Sequence, residues 1–338
     1  MTNRRTFLRN ASLLAVGGAL AGKAGSANAI LPAVARTNAK QIGLQTYSLG
    51  RELYADVPGG LKKLAQMGYT TLELAGYSAD GTLGGSPAFP GGGPSNAPAR
   101  AATPGIPLAD FKKYAADAGL TITSSHLNPP VRGPYSKDNL QQIKDFWKKA
   151  TDDHAAIGVK YLVQPGQPST RSVEEVAYVG EVFNEAGKIA KAGGLIWGYH
   201  NHNGEFARVV PGGTEALTGR PAFGRRDPEG TQIIYDGMLA NTDPALVVFQ
   251  LDVYWTVMGQ QDPVAYMKKY ANRIRLLHIK DVAVLGESGM MNFQKIFETA
   301  YANGIQDWYV ELENYAGGTQ FEGVKGCADY LLKAPFVK

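Results

Sequence analysis

Four of the five histidines in the chain, His126, His200, His202 and His278, stand where a short apolar run ends, as do Glu73, Gln164, Asp252, Lys280, Asp281, Glu311 and Glu313. Histidines scattered at random would not collect in this way. Imidazole nitrogen suits Mn, Fe, Co, Ni or Zn, and carboxylate oxygen extends the choice to harder ions such as Mg. His200, Asp252, His278 and Glu311 together would make a mixed nitrogen–oxygen site for a divalent metal ion, with room left for a substrate oxygen. At such a site the ion polarises a carbonyl, a carboxylate removes a proton from the neighbouring carbon, and the ion stabilises the enediolate. Taken singly, each residue is equally consistent with a polar group bracing a loop; only together do they point to catalysis. The fifth histidine, His154, falls inside a helical pattern and reads as a surface or packing residue.

These residues need a scaffold that brings distant strand ends together. Strand patterns occur at 41–47, 70–75, 120–126, 159–164, 195–200, 246–252, 273–278 and 308–311. Helical spacing occurs at 60–67, 108–118, 137–157, 173–192, 263–270, 292–303 and 323–332, with a short helix at 235–239. Several helices stop at glycine, as at Gly68, Gly119, Gly158 and Gly304, the residue that most easily leaves a helix in a left-handed conformation. Alternating strand and helix predicts a parallel sheet covered by helices. Near-continuous apolar strands such as Leu246–Leu251 fit burial on both faces. Eight units and no ninth predict an α/β fold, a single-domain (β/α)8 TIM barrel with its chemistry at the C-terminal rim. An open doubly wound sheet would usually carry a glycine-rich phosphate turn after its first strand. Residues 48–52 read Ser, Leu, Gly, Arg, Glu instead, and no P-loop occurs. Two irregular stretches rich in Gly and Pro, 78–106 and about 209–230, are expected as rim insertions, the first a long loop placed to act as a lid.

The 338 residues suffice for such a barrel, which typically needs about 250. The net charge of +4 resides before residue 30, where Arg4, Arg5, Arg9 and Lys23 have no acidic counterpart; elsewhere basic and acidic residues balance. No nucleic-acid partner is therefore expected. Arg4 and Arg5, an apolar run from Ala11 to Ala21 and the small residues Ala27, Asn28 and Ala29 read as a twin-arginine signal peptide over 1–29. A linker at 30–39 and the barrel at 40–338 follow. The apolar run is too short to span about 30 Å of hydrocarbon. No stable membrane association is expected after cleavage, and the mature protein is expected in the periplasm or outside the cell. The single cysteine, Cys327, excludes an internal disulfide and reads as a small core residue of the last helix.

Four runs fall in order on four successive strands: Tyr199–His202 (YHNH), Phe249–Trp255 (FQLDVYW), Leu276–Asp281 (LLHIKD) and Tyr309–Glu313 (YVELE). With them the chain resembles the xylose-isomerase-like TIM-barrel superfamily of sugar phosphate isomerases and epimerases, over about Gln41–Leu332. The resemblance implies a divalent ion held by Glu, Asp, His and Glu from consecutive strands. Asp252, His278 and Glu311 match the last three. The first glutamate has no direct counterpart; His200 stands in its place, with His202 and Glu205 close enough to compete for the role. Trp255 is a second departure, because ketose 3-epimerases of the family often carry histidine three residues after the aspartate. Such an epimerase uses two glutamates on opposite faces of its substrate, so His200 points instead to one dominant base, Glu311 or a nearby carboxylate. Lys280 would stabilise an oxyanion or contact a hydroxyl.

Glu73, His126, His202, Trp255 and Lys280 are expected to contact substrate, the tryptophan as a stacking wall beside Tyr47 and Tyr254. The expected activity is metal-dependent isomerisation or epimerisation of a non-phosphorylated sugar or keto-sugar, since no glycine-rich phosphate turn opens a helix. β-Elimination from a 3-keto-glycoside would use the same enolate, and a metal-free sugar-binding barrel is a third reading. A DNA-repair endonuclease of the related barrel type would need several metals, more histidines and a basic groove. The expected partner is a small carbohydrate and the cofactor a divalent ion, Mn, Co, Zn, Fe or Mg. The oligomeric state stays open, an oligomer included.

Overall fold

A computed structural model describes residues 40–84, 105–131, 133–218, 226–315 and 317–338. Its main strands are β1 (Ile42–Gln45), β2 (Tyr69–Leu74), β3 (Thr121–His126), β4 (Tyr161–Gln164), β5 (Ile196–His200), β6 (Val247–Asp252), β7 (Ile274–Ile279) and β8 (Asp307–Val310). All pair in parallel and close in the order β1-β8-β7-β6-β5-β4-β3-β2. The expected (β/α)8 barrel is the fold. The helices are α1 (Gly50–Ala55), α2 (Val57–Gln66), α3 (Leu108–Asp117), α4 (Leu140–Ile157), α5 (Val173–Ala192), α6 (Ile234–Ala240), α7 (Val253–Met258), α8 (Pro263–Lys269), α9 (Phe293–Ala302) and α10 (Gln320–Lys333).

Successive strand residues face opposite sides. Outward positions such as Leu44, Leu72, Trp197, Phe249 and Leu277 join the helices in one core. A smaller cluster, Tyr161, Val163, Leu276 and Tyr309, fills the barrel itself. Leu276 and Tyr309 precede His278 and Glu311 by two residues, so they form the floor of the rim. A Cβ on Gly43 would lie 2.5 Å from the Trp308 carbonyl oxygen and 2.7 Å from Tyr309 Cδ1; glycine there lets β1 close on β8. Cys327 is buried on α10, as expected.

Two helices were not legible. α1 and α7 have six residues each, too few to show a helical period. The ends of both insertions are paired rather than irregular: Thr82–Leu83 with Ile106–Pro107, and Arg208–Val209 with Gln232–Ile233. The stretch 78–106 is thus not loop throughout. Residues 85–104 of the lid expected over 78–106, part of the second insertion (219–225), the signal peptide (1–29) and the linker (30–39) lie outside the described residues. Among the described residues no helix is long and apolar enough to cross a membrane.

His154 is a packing residue. It is buried on α4, where Nδ1 donates to the Ala150 carbonyl at 2.8 Å and Nε2 accepts from Ser125 Oγ at 3.0 Å. The Tyr77 ring meets it edge-on at 4.8 Å. Burial lowers its pKa from 6.5 to about 4, overcoming the Ala150 hydrogen bond and the nearby Asp153 charge. Below about pH 6.5 the unfolded chain takes up a proton that the folded chain refuses until about pH 4. Stability present at neutral pH is therefore lost as pH falls, by about 2 kcal/mol at pH 5 from this group. The chain carrying His154→Gln should lose about that much less between pH 7.5 and pH 5 in denaturant unfolding; equal losses in both chains would contradict the assignment.

Candidate active site

Alternation along β6 turns Gln250 and Asp252 to the barrel interior, as it does Leu276 and His278 on β7. Asp252 is in register with His278, and Gln250 with His200. His278 Nδ1 lies 3.3 Å from Glu311 Oε2 and 3.9 Å from Asp252 Oδ2. The His200 and His278 ring centroids are 4.4 Å apart. One donor atom from each of His200, Asp252, His278 and Glu311 lies within 4.8 Å of the others. Donors around a tetrahedral ion with bonds of about 2.1 Å sit about 3.4 Å apart, so a modest contraction closes the set on a cation.

Asp252 Oδ1 caps α7 by accepting from Trp255 N at 2.8 Å, whereas Oδ2 is buried with no hydrogen-bond partner. Burial pushes the Asp252 carboxyl up; Lys280 pulls it back and Glu311 adds to the rise. A divalent ion would relieve the cost of that buried charge. The residues present fit one.

Behind this set lies Glu73, with no exposed surface. The substrate contact expected of it is corrected here, because protein donors take both oxygens. Oε1 accepts from Gln45 Nε2 at 2.9 Å and His278 Nε2 at 2.5 Å; Oε2 accepts from Ser124 Oγ at 2.6 Å and Gln250 Nε2 at 2.9 Å. Burial opposes the Glu73 charge, but His126 and His278 hold the carboxyl well below its usual range. Burial likewise opposes a proton on His278, yet Glu311 and Glu73 push it up to about 10. Gln250 Oε1 accepts from His126 Nε2 at 2.7 Å and His200 Nδ1 at 3.1 Å. His200 therefore keeps Nε2 as its lone-pair nitrogen. Burial and the His278 and His126 rings hold it neutral, far below the ordinary histidine value. A neutral imidazole with its second nitrogen anchored is the form that ligates metal.

At the mouth, Lys280 is buried and pairs with Glu311 Oε2 at 3.2 Å and Glu313 Oε1 at 2.8 Å, with Nζ 5.4 Å from the Trp255 ring centroid. Burial works against its charge, but Glu311, Asp252 and Glu313 keep it protonated. Asp281 faces elsewhere, accepting from Val282 N, Gly286 N and Ser288 Oγ. Burial raises the Glu311 carboxyl, and Lys280 and His278 more than reverse this, holding it well below its usual value. His202 and Trp255 are half-buried with centroids 5.8 Å apart. Glu205 is fully buried and accepts from Tyr199 Oη at 2.6 Å and His202 N at 3.0 Å. It props the turn carrying His202. The structure thus brings His200, and not His202 or Glu205, together with Asp252, His278 and Glu311. His126 is 8 % exposed, with Nε2 held by Gln250 and by Glu73 at 3.1 Å; a substrate contact is left to the rest of its ring.

Sequence reasoning missed Gln45, Ser124 and Gln250. The glutamines carried a signal: Gln45 is the polar residue of an otherwise apolar strand, and Gln250 shares the inward face of Asp252.

Residues 61–328 match the family model described as Xylose isomerase-like TIM barrel. A sugar phosphate isomerase/epimerase of known structure from Parabacteroides distasonis is 49 % identical, with a TM-score of 0.79 over 90 % of this chain and 100 % of that one. An L-ribulose 3-epimerase structure, 14 % identical with a TM-score of 0.60 over 86 % and 93 % of the two chains, is a likeness of fold alone. An inosose dehydratase from Clostridium tetani is 28 % identical over 109 residues, which span 32 % of this chain and only 29 % of that relative. The chain belongs to the xylose isomerase-like TIM-barrel family, in company with sugar isomerases and epimerases.

Proposed function

We propose that the chain is a divalent-metal-dependent enzyme that isomerises or epimerises a non-phosphorylated sugar or keto-sugar. The observation that carries this reading is the convergence of His200, Asp252, His278 and Glu311 on one buried point, with Asp252 Oδ2 unpartnered. These four residues hold the ion, one of Mn, Co, Zn, Fe or Mg. When bound, the ion supplies Lewis acidity to a substrate carbonyl. Glu311 removes the proton from the adjacent carbon. It is ionised, and at 5 % exposure it is the most open of the four, the others being at 0–1 %. Lys280, charged and fixed between Glu311 and Glu313, donates to the developing oxyanion. Trp255 and His202 form the wall on which the sugar packs.

A bare sugar is favoured over a phosphorylated one, although the Parabacteroides relative is described by a sugar phosphate activity. Lys280 is already matched by two carboxylates, and the N-terminus of α7, which opens at the rim, is capped by Asp252. Neither has positive charge left for a phosphate. Elimination is a second reading, favoured by the inosose dehydratase match; it starts from the same enolate and ends in loss of a leaving group. Incubation with ketoses and 3-keto-glycosides in deuterium oxide separates the two. Deuterium at one carbon with the substrate otherwise intact supports isomerisation or epimerisation, and a released aglycone supports elimination. No exchange into any of them by metal-loaded protein would contradict both. The proposal includes export by the twin-arginine route with cleavage after Ala29, which a mature N-terminus at Ile30 would check.

A further inference from the structure

We infer that Glu73 is a positioning residue that fixes the protons of both histidine ligands, at His278 directly and at His200 through Gln250. The inference rests on the metal reading above and adds a role to a residue outside the ligand set. Both oxygens of Glu73 meet donors, Gln45 Nε2 and His278 Nε2 on one and Ser124 Oγ and Gln250 Nε2 on the other, so the carboxylate acts as acceptor throughout. Glu73 Oε2, 2.9 Å from Gln250 Nε2, therefore orients that amide with its NH2 inward and its carbonyl toward the rings. The carbonyl, 3.1 Å from His200 Nδ1 and 2.7 Å from His126 Nε2, in turn requires an N–H from each ring. On the other side Oε1, 2.5 Å from His278 Nε2, takes that ring's N–H and leaves Nδ1 facing Asp252 and Glu311. One buried side chain on β2 thus decides which nitrogen of each ligand ring, on β5 and β7, faces the metal site, and an ion bound there would displace the proton that His278 Nδ1 shares with Glu311. With an amide at position 73 the direction of every donor in this chain of bonds becomes ambiguous, because an amide both donates and accepts.

The test is a titration of metal-stripped full-length protein with Co2+, followed by calorimetry and by the visible spectrum of the bound ion. Glu73→Gln should weaken Co2+ binding by about 10- to 100-fold and alter the spectrum. Ser124→Ala should leave both close to wild type, because Ser124 donates to Glu73 yet touches neither ligand ring. If Glu73→Gln does not fold, Gln250→Met removes the bridge from Glu73 to His200 while keeping the Glu73–His278 bond, and should cost about tenfold in affinity. Wild-type affinity and spectrum in the folded Glu73 or Gln250 variant, or an equal loss in Ser124→Ala, would overturn the inference while leaving the metal reading intact. A wild-type chain that takes up no Co2+ would overturn the metal reading and this inference with it.

Discussion

Glu311→Gln should lower kcat by roughly 10³-fold or more while leaving the barrel folded, since removing a general base typically costs 10²–10⁴. The amide has the shape of the carboxylate but cannot accept the substrate proton. No buried cation is stranded by the change: Lys280 keeps Glu313 at 2.8 Å, and His278 keeps Glu73 at 2.5 Å. Steady-state kinetics beside thermal unfolding will show whether the loss is chemical. A wild-type kcat would remove Glu311 as the base. Full recovery of the variant in excess metal would assign Glu311 to holding the ion and nothing more.

Lys280→Met should have the second-largest effect, and on stability as well as rate. It leaves Glu311, 5 % exposed, and the half-buried Glu313 without the ammonium between them. Breaking a buried pair on one side typically costs about 3–5 kcal/mol; Glu311 keeps the His278 ring at 3.3 Å and Glu313 is half-buried, so the loss should lie toward the lower end of that range. That loss should be read by denaturant unfolding of the metal-stripped chain, where no added cation can mask it. Turnover of the metal-loaded variant should fall by about 10²-fold or more as the oxyanion donor is lost. A stability change under about 1 kcal/mol would mean that the carboxylates relax into solvent, which the burial of Lys280 and Glu311 argues against.

The barrel was legible because eight short strand patterns, some of them near-continuously apolar as in β6, alternate with helices that carry explicit end signals. Both ends of α5 follow from sequence, with Ser172 capping through Glu175 N at one end and Gly193 closing the other. The ligand candidates were legible for a related reason: His200 and Asp252 end strands, and a barrel gathers such ends at one rim. Glu73 was misjudged because alternation tells which side a residue faces but not how deep it lies. Its depth depends on a register shift between β2 and β3 at Leu72/Glu73 and on His278, 205 residues away. Gln250 escaped notice because its partners come from three other strands. The partners of Lys280 were not legible either, because Glu311 and Glu313 lie beyond the next strand.

Metal content tests the central claim most directly. Full-length protein and its Asp252→Ala variant, both prepared with Mn, Co or Zn supplied, should be compared by elemental analysis after removal of loosely bound ion. The expected result is one divalent ion per wild-type chain and close to none in the variant, with cooperative unfolding in both. A wild-type chain that retains no ion, or a variant that retains its full equivalent, would contradict a cation held by His200, Asp252, His278 and Glu311.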